Sequence, residues 1–139
     1  MEKLIVAVIV FAASLLSCKK ENPTETIPAG AFQYKAYDST GSLVVQGWMT
    51  LVMEDSTRIT GEWHFSKVDD PQNIGPHFGD GQLVAGFYGG SLSANLNPKY
   101  VDNNVFLNGQ YAGNTFSGNW FWEGFPGVLN YGSFQAVKQ

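Results

Sequence analysis

The feature that most constrains this chain is a tripeptide, glycine–any residue–aromatic, set inside strictly alternating segments. It occurs at Gly30–Phe32, Gly61–Trp63, Gly86–Tyr88, Gly109–Tyr111, Gly118–Trp120 and Gly132–Phe134. The alternation is cleanest in TRITGEWHF, where Ile59, Gly61, Trp63 and Phe65 share one side and Arg58, Thr60, Glu62 and His64 the other. NTFSGNWFW, GSLSANL and NVFLNGQY repeat it. A period of two is the period of a strand with one buried and one wet face. No segment after residue 30 shows a sustained 3.6-residue apolar period. On a strand, residues two apart share a face, so each glycine of the tripeptide is expected beside a ring on the inner surface. There it permits strong coiling while the ring covers bare backbone.

Turn residues separate the alternating runs and predict strands over 31–37, 42–53, 57–66, 82–88, 90–97, 103–111, 114–122 and 128–137. All connections but one are short, so each strand can pair with its neighbour in sequence. The expected fold is all-β: an eight-stranded antiparallel up-and-down barrel, with a β-sandwich as the alternative. Closure leaves no free edges. The architecture resembles that of lipocalins and avidin-like proteins. The motifs do not carry over: lipocalins have Gly-x-Trp on the first strand, whereas Gly61-Glu62-Trp63 falls on the third here, and avidin-like barrels line the interior with polar groups. The outward residues are polar, where a membrane-spanning barrel would need apolar ones. Inner rings either line a cavity for a small apolar ligand or fill the barrel completely.

In a meander the loops alternate between ends. The tight turns at 54–56, 89–90 and 113–114 share one end with the start of the first strand. The longer loops, including 67–81, 97–104 and 123–127, share the other. Loops on a rigid scaffold are where binding groups collect, so the candidate contact residues are Asp69, Asp70, His77, Asp80, Tyr100 and Phe125. Asp69, Asp70 and Asp80 carry oxygen ligands of the kind Ca²⁺ takes, without EF-hand spacing. His77 with Asp80 has the composition of an acid/base pair, but no nucleophile stands in a recognisable elbow. Two histidines without H-E-x-x-H make no zinc site, and no cofactor motif is present. Phe125, at the tip of EGFPG, either anchors an interface or folds back to plug the barrel mouth. As exposed loop residues, Asp69, Asp70, His77, Tyr100 and Phe125 are expected to contribute little to stability.

The amino terminus gives an address. After Met1-Glu2-Lys3 the chain runs uncharged from Leu4 to Leu16, the length of a secretory h-region and too short for a membrane span. Leu15-Leu16-Ser17-Cys18 resembles the lipobox of bacterial lipoproteins. The resemblance implies cleavage before Cys18, acylation of its thiol, and an envelope location on the outer membrane. Lys19-Lys20-Glu21 resembles the charged export signals of surface-exposed lipoproteins. The expected organisation is a signal peptide over 1–17, a lipidated cysteine and tether over 18–30, and a barrel domain over 31–139. Cys18 is the only cysteine, so an internal disulfide is impossible. A net charge of −4 without a basic stripe argues against nucleic acid as a partner. The expected partners are the membrane, through the acyl anchor, and a small apolar ligand or an envelope protein. A non-enzymatic binding module is therefore the leading expectation. A solid structural or adhesion barrel comes next, then an enzyme using the 67–81 loop.

Overall fold

A computed structural model describes residues 27–139; the expected signal peptide, Cys18 and the expected tether through residue 26 lie outside the described residues. Eight strands follow one another: β1 (Gly30–Asp38), β2 (Leu43–Met53), β3 (Arg58–Lys67), β4 (Gly79–Tyr88), β5 (Ser91–Asn95), β6 (Asn103–Ala112), β7 (Thr115–Gly124) and β8 (Gly127–Lys138). Each pairs antiparallel with the next, and β8 pairs back onto β1 to close the barrel. The expected meander is the observed one, and the sandwich alternative is not adopted.

Most boundaries lie within one residue of those read in the sequence, and three differ by more; β7 runs to Gly124 rather than 122. β4 begins at Gly79 rather than 82, because Gly79, Asp80 and Gly81 pair with Phe65, His64 and Trp63 of β3. A Gly-Asp-Gly run reads as turn locally, but the neighbouring strand captures it. β5 stops at Asn95, where the Asn95 side chain accepts a hydrogen bond from the Asn97 amide and starts the turn into Pro98.

The inward residues fill the barrel. Phe32, Tyr34, Met49, Ile59, Phe65, Leu107, Phe116 and Trp120 are among those almost wholly removed from solvent, within one continuous apolar cluster. Their rings form a column. Tyr34 stacks on Phe65 with centroids 4.1 Å apart, Trp63 lies 5.0 Å beyond, and Phe134 and Phe116 meet edge to face at 4.6 Å. Such contacts add to the burial of each ring.

The glycines serve this packing across strands rather than along them. Trp63 stands opposite Gly81, Phe65 opposite Gly47, Trp120 opposite Gly132 and Phe134 opposite Gly118. Trp63 and Trp120 lie directly over Gly81 and Gly132, where a Cβ would come within 2.7 Å and 2.6 Å of the indoles, while Gly47 and Gly118 admit the neighbouring backbone itself. One tripeptide departs from the expected facing. In Gly86–Tyr88 the inward residues are Ala85 and Phe87, and Tyr88 is 83% exposed.

Two glycines that look alike in the sequence should therefore respond oppositely to substitution. A Cβ at Gly61 would lie 1.8 Å from the Thr50 carbonyl oxygen of β2, whereas a Cβ at Gly86 would meet nothing within 4 Å. Gly61→Ala should cost about 1–3 kcal/mol because backbone must move. Gly86→Ala should be neutral or stabilise by up to about 1 kcal/mol through the unfolded chain. Paired urea melts check both; equal effects would contradict the close approach of β2 and β3.

Candidate functional site

The four connections at the far end are 39–42, 68–78, 96–102 and 125–126, and they do different things. The longest turns inward. Ile74 is 3% exposed and His77 is fully buried, so 68–78 closes the barrel mouth. Tyr34 Oη and His77 Nε2 share a 2.7 Å hydrogen bond. The imidazole lies 4.9 Å from the Trp120 ring and 6.0 Å from Phe65. Its Nδ1 has no partner among the described residues. Burial alone pulls the His77 pKa from 6.5 down to about 3 and pushes that of the Tyr34 hydroxyl well above its usual 10. Both groups are therefore neutral at pH 7.

The plug is held from outside as well. Trp122 lies over Gly75, where a Cβ would come within 2.4 Å of the indole nitrogen. That nitrogen donates 2.7 Å to Asn103 Oδ1, and Asn130 Nδ2 donates 2.7 Å to the Asn73 carbonyl. Lys67 caps the ring of Phe78 at 4.3 Å.

This arrangement corrects the expected placement of His77. It is a core residue delivered by a loop, not a rim residue, and substituting it should not be neutral. Asp80 is corrected too. It lies on β4 opposite His64 of β3, and these two side chains contact each other on the outer wall. The His77–Asp80 pair does not form. Asp69 and Asp70 are exposed on the loop, and among the described residues no three His, Cys, Asp or Glu side chains gather to hold a metal ion.

Tyr100 and Phe125 do stand at the rim. Tyr100 is 66% exposed and Phe125 is 91% exposed. Phe125 projects from the β7–β8 hairpin instead of folding into the mouth, which Ile74 and His77 occupy. Around it the structure adds residues that the sequence reading passed over: Val101, 92% exposed, and Val128 and Leu129, both about half exposed. The register shift at Trp122/Glu123 lets the hairpin extend outward. A Cβ at Gly124 would lie 2.9 Å from Leu129 Cδ1 and 3.3 Å from the Asp102 carbonyl oxygen. The 96–102 loop and the base of the β7–β8 hairpin are therefore neighbours, and exposed apolar side chains of both stand at the same end of the barrel. The loop itself is fastened by Asn104, whose Nδ2 donates 2.5 Å to the Tyr100 carbonyl, and by Trp63, whose indole donates 2.8 Å to the Leu96 carbonyl. The signal available in the sequence was Val128-Leu129, two consecutive apolar residues where alternation should put one outside.

No family model, no curated protein and no solved structure matches this chain.

Proposed function

We propose that this chain is a lipid-anchored envelope lipoprotein whose filled barrel is a rigid pedestal, presenting an apolar loop cluster to a protein partner. The observation that carries the reading is Val101 and Phe125, each more than nine-tenths exposed on adjoining loops of a barrel whose interior is already packed. Large exposed apolar side chains on fastened loops are costly in water unless something covers them. A small apolar ligand inside the barrel loses support, because side chains of the core and His77 occupy that space.

The orientation follows from the meander. The chain enters β1 at Gly30 and leaves β8 at Lys138, both at the end of the tight turns. A ten-residue strand spans about 30 Å, so an anchor at Cys18 leaves the Phe125 cluster on the side away from the bilayer.

Two experiments test the two halves of this reading. Cys18→Ser should leave an uncleaved precursor that no longer takes up a clickable palmitate analogue, since stable anchoring needs at least two acyl chains at about 0.8 kcal/mol per CH₂. Normal cleavage and labelling would end the lipoprotein half. For the rim, a photo-crosslinker at position 125 should give one protein adduct in intact cells, and the same group at position 114 should not. Adding Val101→Asp should reduce that adduct about tenfold while leaving the thermal melt unchanged, as exposed loop positions bury little. An adduct indifferent to Val101→Asp, or none at all, would leave the barrel as a spacer without a distal partner.

A further inference from the structure

Of the four tryptophans, Trp48 alone is largely exposed. It stands on the outer face of β2 with 47% of its surface in water, while Trp63 and Trp120 lie in the core and Trp122 covers the plug. Its cross-strand neighbours are Gln33 on β1 and His64 on β3. The His64 ring stacks against it, centroids 5.9 Å apart and planes 20° apart, and His64 is itself held by Asp80. The imidazole thus flanks the indole on its β3 side. Beside it runs an open groove of about 540 Å³, lined by Gln33, Gln46, Trp48 and Ser66, with Gly47 in its floor. Gly47 gives the floor only backbone: its own position faces inward, paired with Tyr34 and Phe65, and the β3 backbone lies so close that a Cβ there would come 2.0 Å from the His64 carbonyl oxygen.

We propose that this groove binds a neutral saccharide. The face of an aromatic ring carries negative charge density, and the C–H face of a pyranose ring offers the weakly positive, flat surface that complements it. Glutamine amides and a serine hydroxyl each both donate and accept hydrogen bonds, as sugar hydroxyls do. None of the side chains lining the groove is charged; the charge beside it is Lys35, exposed on β1 opposite Gln46, and the lining itself suits a neutral ligand. A purely apolar ligand would strip water from Gln33 and Gln46 without replacing their hydrogen bonds. The volume suits a small ligand, and the open shape points to an affinity near the millimolar end. The site is separate from the apolar rim cluster and does not depend on it.

The test uses the full-length acylated protein in detergent, with pentaoses of β-1,4-glucose, α-1,4-glucose, xylose, mannose and N-acetylglucosamine as probes and penta-galacturonate as the charged comparator. The readout is the indole N–H resonance of Trp48, assigned by its loss in Trp48→Phe. At least one neutral pentaose should shift it saturably below about 10 mM. Trp48→Ala should weaken that binding at least about tenfold, followed by the remaining amide and backbone resonances, and Gln46→Ala about fivefold. Both variants should melt within about 3 °C of the parent. Silence of the Trp48 resonance toward every neutral pentaose would overturn the proposal. So would binding that survives Trp48→Ala, or a response to galacturonate alone.

Discussion

Trp120→Ala should destabilise the barrel by about 3–5 kcal/mol, the usual loss for deleting a large buried ring. Both the barrel wall and the plug close on this indole. It is fully buried, it lies over Gly132 across the β7–β8 pair, and it packs 4.9 Å from His77 of the plug. Its Nε1 also donates a 2.8 Å hydrogen bond to the Tyr37 carbonyl, so truncation leaves an acceptor unpaired as well as a cavity. Trp120→Phe separates the two contributions, because it retains most of the ring and removes the donor; it should cost about 1–3 kcal/mol. Glu62→Ala, on the exposed face of β3, should stay within about ±0.5 kcal/mol. Urea melts with unchanged slopes would measure all three. If Glu62→Ala matched Trp120→Ala, the inside and outside of the strands would be reversed.

That register was legible in the sequence for a physical reason. Alternation is a local property, and a closed sheet with one wet face imposes it on every strand, so Ile59, Trp63 and Phe65 declare themselves without knowledge of their partners. The plug did not declare itself. Ile74 and His77 lie in a stretch of Asp, Pro, Gln, Asn and Gly, with no period to mark them. What buries them is distant in sequence: Tyr34 is the hydrogen-bond partner of His77, and nothing in either segment names the other. A polar, turn-rich composition is compatible with an exposed loop and with a plug, and tertiary packing decides between them.

The same reasoning accounts for Asp80. Read as part of the loop, it belonged with His77. Once β4 is seen to begin at Gly79, the antiparallel register carries Asp80 to His64 and, one strand further, to Trp48. A three-residue difference in one strand boundary thus moved a carboxylate from the rim to the outer wall. Gly61 and Gly86 make the converse point: identical local patterns face opposite ways, Gly61 inward with Ile59 and Trp63 and Gly86 outward between the buried Ala85 and Phe87, so only a Cβ at Gly61 meets neighbouring backbone. Phe125 was legible as an exposed tip, but that Val101 and Leu129 stand exposed at the same end depends on the 96–102 loop lying beside the hairpin.

Acidification should expose the plug as a stability element. His77 titrates near 6.5 in the unfolded chain and at about 3 in the folded one, because the imidazolium cannot be solvated inside the barrel. Between those values the unfolded chain binds a proton that the folded chain refuses. Stability therefore rises with pH across this window: the His77 contribution is complete above about pH 6.5 and is lost progressively as pH falls toward 3. The slope approaches about 1.4 kcal/mol per pH unit, and the total is on the order of several kcal/mol. Asp38 and Asp55 have carboxyl pKa values lowered from 3.8, chiefly by hydrogen bonds from Thr40 and Thr57. Their stabilisation is lost only as pH falls through those lowered values, below the upper part of the His77 window. The interval from about pH 4.5 to 6 consequently separates His77 from these carboxylates, and the His64–Asp80 contact is common to the parent and a His77 variant, so the difference between them reports His77. His77→Leu should be less stable than the parent at pH 7, since it leaves the Tyr34 hydroxyl without its partner, yet its stability should vary far less across that interval. The difference in slope, not the absolute stability, is the measurement. Equal slopes for parent and variant would mean that His77 reaches water in the folded protein, and that the 68–78 segment stands open.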